Sequence, residues 1–334
     1  MTFDLYADLI FQNACPKERS APAGLVSGFV DGCTSWFAHN AWKQAHCERR
    51  ANEEANEQER KKLQERAKKF AREKENARTC YRKTAASLSL EPAINRYVDQ
   101  CFGSDPEPLL PGWLAIKITF RLTGPWYSKD DRPFHVFDNP LRKDRVFGVP
   151  FMAAASWKGL LRWAMGMKTG LIGPEPVKDE RKRREAELTV LHLFGNEKGE
   201  RDRFQRGALA FYPTWFSKIG FEVINPHSRK TRAGTQPILY EVVPAGTEGT
   251  LKLLYAPLPE VERPAQLDRP VAICTLLDAA RDLLTVYGFS AKRTAGWGAA
   301  EITAVCAKPH SKPPLTLSPN YWDDVKARIA ELVR

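Results

Sequence analysis

The chain has 334 residues, with 51 Lys and Arg against 40 Asp and Glu, a formal net charge of +11 and a pI near 9.3. Its 43% hydrophobic content is enough to bury a substantial core and excludes a disordered basic tail. With 27% charged residues and no apolar run approaching ~18 residues, a membrane-spanning protein is excluded as well; Asp4 and Asp8 stand where a secretory leader carries cations, so a cytoplasmic protein is expected.

In chain order, the first strong signal is the segment from about Ala41 to Lys83, rich in Glu, Lys, Arg and Ala and free of Gly and Pro. It predicts one or two long, largely solvated helices with a thin apolar seam through Leu63, Ala67, Phe70, Ala77 and Tyr81. Fourteen cations against eight carboxylates give this segment a net +6, a solvated face or a contact for nucleic acid or another subunit. Residues 103–112, GSDPEPLLPG, read as a linker, and Leu114 to Leu122 alternate apolar and polar as a half-buried strand. A long charged loop follows over 124–150. Ser156 then offers an N-cap for a helix with Trp157, Leu160, Leu161 and Ala164 on one face. Leu188–Phe194 reads as the end of another helix. Short strands are expected near 208–212, 221–224, 238–243 and 251–255, a helix over 271–286, and a closing strand over 299–305. The order is α+β: a ferredoxin- or RRM-like βαββαβ core with large insertions over 111–334, preceded by a mainly helical region over 1–110.

The seven cysteines are scattered without a C-x-x-C pair, which predicts reduced thiols. Cys33, His39, His46 and Cys47 match no structural zinc spacing.

Three segments combine cations, rings and flexible backbone. The loop from Trp126 to Pro150 holds five Lys or Arg, Arg142 and Lys143 among them, with four aspartates and five aromatic rings. Such a loop can grip phosphates while its rings pack on bases, and its carboxylates could hold a divalent cation. Ser156 to Trp163 places Lys158 in the expected first turn of a helix, where amide donors favour phosphate. Tyr287 to Ile302 carries Gly288, Gly296 and Gly298 with Lys292, Arg293 and Trp297, a loop whose amides could face an anion and whose indole could stack on a base. It has neither the P-loop nor the dinucleotide pattern. His227, Arg229 and Lys230 form a cationic turn that could touch RNA.

The order of these segments is more specific than any one of them. Val136-Phe137-Asp138-Asn139-Pro140, then Gly148-Val149-Pro150 and Ser156-Trp157-Lys158-Gly159-Leu160-Leu161-Arg162, followed by Leu193-Phe194-Gly195, Glu241-Val242-Val243-Pro244-Ala245-Gly246-Thr247 and the Gly288–Gly298 loop, resemble the signature of the RAMP superfamily of CRISPR-associated proteins. The resemblance spans about residues 113–305 and leaves the N-terminal region unmatched. It implies an RRM-like RNA-binding subunit of a type III-like effector, with a CRISPR RNA guide, a target RNA and other effector subunits as partners. Lys158, Arg162, Lys292, Arg293 and the nearby loops would hold guide phosphates while base pairing supplies sequence choice. By the same resemblance Asp138 takes the place of the carboxylate beside the scissile phosphate, with Mg2+ as a cofactor if the chain cleaves target RNA. Asn225-Pro226-His227 is similar to the capping RAMP of Cmr complexes, which usually does not cleave. A non-catalytic cap or scaffold, and a stand-alone RNA-processing enzyme, stay open.

Overall fold

A computed structural model describes residues 32–91, 94–95, 105–131, 135–144, 148–196, 205–226, 234, 236–257 and 267–333. The chain forms two compact units. One gathers the described residues of Met1–Tyr97, Lys129–Pro150 and Ser217–Val243; the other gathers those of Val98–Ser128, Phe151–Phe216 and Pro244–Arg334. Packing therefore does not follow the linear division at residue 110, because two later segments share a core with the N-terminal helices.

The first unit is built on two helices, α1 (Gly32–Glu53) and α2 (Glu57–Ser87). What divides the charged segment into two is Asn56, whose side-chain oxygen accepts from the amides of Gln58 and Glu59 at 3.0 and 3.2 Å and so caps α2. The short connection folds the helices back on each other. On α2, Leu63, Ala67, Ala77, Tyr81 and Ala85 are buried, the seam expected from their spacing, with Phe70 only half-buried. Cys33 and Cys80 lie at equivalent distances from the turn, and a disulfide joins them with their Cα atoms 6.0 Å apart. This corrects the expectation of reduced thiols for that pair; Cys47, Cys274 and Cys306 are free. The remaining parts are the 129–150 loop and a hairpin of β5 (Gly220–Ile224) and β6 (Ile238–Val242). Phe37, Ala77, Tyr81, Ala85, Leu90, Val136, Phe137 and Ile219 form their common core.

The second unit contains β1 (Leu114–Leu122), β2 (Phe151–Met152), α3 (Ala154–Lys168), α4 (Glu180–Phe194), β3 (Leu209–Phe211), β4 (Thr214–Trp215), β7 (Glu248–Tyr255), α5 (Arg269–Asp282), β8 (Ala300–Pro309), β9 (Leu315–Leu317) and α6 (Trp322–Glu331). Its main sheet has the order β3-β7-β1-β8-β9, with each neighbouring pair antiparallel. Omitting β9, the path β1, α3, β3, β7, α5, β8 is the expected βαββαβ core. One face of β1, Leu114, Ile116, Ile118, Phe120 and Leu122, is almost fully buried. Phe120 meets Trp157 of α3 and Phe289 edge-on at 6.2 and 5.2 Å, so strand, helix and glycine-rich loop share one aromatic core. The sheet's extra strand β9 and the terminal helix α6 were not anticipated; α6 is fixed by Trp322 Nε1 donating to Asp278 at 2.9 Å.

Candidate functional site

The glycine-rich loop is held against the segment that follows β1. Ser290 Oγ accepts from the Tyr127 amide and donates to the Tyr127 carbonyl, both at 3.0 Å, and the Ala291 amide donates to the same carbonyl at 2.9 Å. The Gly298 amide reaches Pro125 O at 2.8 Å, and Phe289 N reaches Gly298 O at 3.1 Å. Within the loop, the Ala295, Gly296 and Trp297 amides close on Lys292 and Arg293 carbonyls. Many of the amides expected to face an anion are thus engaged inside the protein, which leaves the side chains as the groups this loop can offer an anion.

Beside this loop lies a cleft of about 270 Å³, lined by Tyr127, Ser128, Ser156, Leu160, Ser290 and Arg293 among others. Arg293 is exposed, and its guanidinium sits 4.8 Å from the centroid of Trp163, which fixes a cation at the rim. Lys292, next to it, is partly exposed. Gly296 is exposed with φ +76, where it closes the turn after Ala295. Trp297 is 9% exposed and meets Tyr127 edge-on at 6.4 Å, so it packs the loop and presents no face to a base. Gly298 is buried beside Ser290.

Helix α3 starts at Ala154, with Ala153 as a cap that makes no side-chain hydrogen bond, three residues before the expected Ser156 cap. Ala154 and Ala155 favour continuing the helix backwards, and pairing of Phe151 and Met152 with β4 fixes where it must begin. Lys158 consequently lies beyond the first turn, and the expected helix-terminal phosphate site is not formed around it. Ser156 and Leu160 face the cleft; Lys158, two residues from each, points about 200° away. It is exposed on the side of α3 that also carries Arg162, whose guanidinium donates to Gly195 O at 3.4 Å. The fold therefore brings Lys292 and Arg293 together and sets Lys158 and Arg162 on another face. On the sheet, Lys117 and Lys252 are directly opposed across β1 and β7, and Asp105 bridges them at 2.6 and 3.2 Å. Burial would raise the Asp105 carboxyl, but the two ammonium groups, Lys117 foremost, hold it below the usual carboxylate range.

In the first unit, the Asp138 turn is anchored on both sides. Val136 and Phe137 are buried in the core, Asn139 donates to Leu239 O at 3.2 Å, and the Asn139 carbonyl accepts from Glu241 N at 3.0 Å. Asp138 itself is exposed. The anchor is Glu241. One of its carboxylate oxygens accepts from Leu141 N at 3.0 Å; the other accepts from Lys143 Nζ and Tyr81 OH, each at 2.6 Å. Lys143 is buried in this ion pair with its ammonium 5.3 Å from the Tyr81 ring centroid, which corrects its assignment as an RNA contact: its charge is neutralised away from solvent. Arg142 points the other way, partly exposed and paired with Asp131 at 3.1 Å. Glu241 was visible only as the first letter of a sequence motif, and nothing in the spacing tied it to Lys143.

Among the described residues no three His, Cys, Asp or Glu side chains gather into a metal-binding group. His227, Arg229 and Lys230 lie outside the described residues. No described helix is long and apolar enough to cross a membrane.

Among solved structures, the chain is similar to a chain of the type III-B Cmr-beta complex bound to cognate target RNA, at 12% identity and TM-score 0.43 over 74% of this chain and 77% of that one. It is also similar to a chain of a CRISPR RNA-guided surveillance complex, at 16% identity and TM-score 0.41 over 63% and 74%. A chain of a type IV-B CRISPR complex is 16% identical, with TM-score 0.37 over 57% and 90%. No curated protein matches the chain. The sequence model of the RAMP superfamily matches residues 119–301, more than half of the chain, from within β1 to the start of β8, and on that ground the protein belongs to the RAMP superfamily.

Proposed function

We propose that this protein is an RNA-binding subunit of a multisubunit, type III-like CRISPR RNA-guided effector, where it grips the sugar-phosphate backbone of the guide. The observation that carries the reading is the glycine-rich loop: within a RAMP core, Lys292 and Arg293 stand together on a rigid, hydrogen-bonded loop at the rim of an aromatic-floored cleft. Fixed cations beside a cleft suit a backbone of regular charge and read no sequence, which leaves recognition to base pairing. Replacing both residues by Gln should weaken guide binding and make its salt dependence shallower by about 1 to 1.5 in the slope of log K against log salt, about 0.7 per phosphate contact for a single strand. Salt titration of RNA binding by the purified chain tests this, and an unchanged slope and affinity would remove the loop from the interface.

A second role rests on a different observation, the exposed Asp138 carboxylate held between firmly anchored neighbours. A carboxylate so presented can accept the proton of a target ribose 2′-hydroxyl as that oxygen attacks the adjacent phosphorus. The P–O5′ bond then breaks, the leaving oxygen takes a proton from water, and a 2′,3′-cyclic phosphate and a 5′-hydroxyl remain. Asp138→Asn in the assembled effector should leave RNA binding intact and slow target cleavage by roughly 10²- to 10⁴-fold, the range for loss of a general base. Undiminished cleavage opposite this subunit would favour the non-catalytic cap.

A further inference from the structure

The outward face of α2 carries a charge pattern that the loop and the Asp138 turn do not use. The helix has eleven Lys and Arg against five Glu, a net +6. Its apolar side is occupied: Leu63, Ala67, Ala77, Tyr81 and Ala85 are buried, and Phe70 is half-buried under the Lys43 ammonium at 5.5 Å. At 100° per residue, the side opposite that seam runs through Lys61, Lys68, Arg72 and Lys83, with Lys69 on its flank, and all five are exposed. Lys61 is paired with Glu57 at 2.9 Å. Among the described residues Lys68, Lys69, Arg72 and Lys83 form no ion pair, although Glu65 lies on the same face and Glu75 at its margin, the latter 3.5 Å from Arg78. Lys68 and Arg72 are one turn apart, about 6 Å along the axis, with Lys69 beside them. Cations this close repel one another unless an anion lies across them.

The chemistry of the face narrows what that anion is. A protein partner of useful affinity needs aromatic or aliphatic anchors at a desolvated centre. Between the cations of α2 stand Glu65, Asn76 and Thr79, which supply none. An anionic lipid surface would bind better with apolar residues to insert, and the outer face has none of those either. A phosphodiester strand requires only a row of cations, because release of its condensed counterions drives binding. We infer that the outer face of α2, centred on Lys68, Lys69 and Arg72, is a second contact for single-stranded RNA, made by residues separate from those of the glycine-rich loop. The inference rests on the reading of this chain as an RNA-binding subunit for the identity of the polyanion.

The test uses the full chain, a fluorescent single-stranded RNA of mixed sequence, and binding isotherms across a range of KCl concentrations. Four proteins are compared: the native chain, Lys68→Gln/Lys69→Gln/Arg72→Gln, Lys292→Gln/Arg293→Gln, and a charge-preserving variant of the α2 positions. Because the three α2 positions are exposed and Gln is a good helix former, the thermal melt should be unchanged. The α2 variant should lose roughly ten- to a hundredfold in affinity near ~0.1 M salt, with a slope shallower by about 2, three contacts at about 0.7 each. The charge-preserving variant Lys68→Arg/Lys69→Arg/Arg72→Lys should bind as the native chain does. Native slope and affinity in the α2 variant, with weakened binding in the loop variant, would overturn the inference and leave the proposed function standing. The same would follow if the α2 variant bound RNA normally and lost association with a neighbouring effector subunit. A native chain with no salt-dependent RNA binding would overturn both.

Discussion

Arg142 and Lys143 are adjacent cations of one loop, and the fold gives them opposite environments. Lys143 is enclosed with Glu241 and Tyr81, where removing one partner leaves an uncompensated buried charge. Lys143→Met should therefore destabilise the protein by about 3–5 kcal/mol in urea unfolding. Lys143→Met/Glu241→Leu should recover much of that loss, since neither charge is then stranded. A single variant within about 1 kcal/mol of native would mean that the pair does not hold the turn together. The same distinction governs Trp297, which looks like a stacking surface in sequence and packs against Tyr127 in the fold. Residue type shows what a side chain could do; burial decides which of those options remains. The motif singles out Asp138, which the fold leaves exposed, whereas the part Glu241 plays was not legible, since it depends on a contact about a hundred residues away.

At the scale of elements, periodicity located the helices and strands well and their ends poorly. The alternation over Leu114–Leu122 and the seam on α2 follow from side-chain spacing alone. The start of α3 moved because Ala154 and Ala155 sustain a helix and β2 ends just before them. The glycine-rich loop shows why certain glycines have no substitute. Gly298 has φ +79, and a Cβ placed there would stand 2.5 Å from the Ser290 amide nitrogen, at the junction that holds the loop to Tyr127. Gly298→Ala must strain the backbone and push Ser290 aside, at a cost of about 1–3 kcal/mol or more. Thermal denaturation should show the loss, and RNA affinity should fall with it as Lys292 and Arg293 shift. A variant with native stability would show that the loop adapts.

At the scale of the molecule, the RAMP core accounts for one unit, and the insertions of that core supply much of the other. The segment 129–150, which carries Asp138, and the segment 217–243, which carries Glu241, share a hydrophobic core with α1 and α2. The N-terminal region is thus part of the support of the Asp138 turn: Tyr81 of α2 donates to Glu241, and Arg78 donates to Val136 O at 3.0 Å. The sequence by itself determined the α+β class, the strand and helix order of the core, the excess charge on α2 and the motifs that mark the family, because periodicity, composition and motif order are local properties of the chain. Only the tertiary structure decided which cations reach solvent, that Cys33 and Cys80 are joined, and that Glu241 holds the Asp138 turn. Those outcomes depend on contacts between residues far apart in sequence, where burial and pairing set the free energy of each charge.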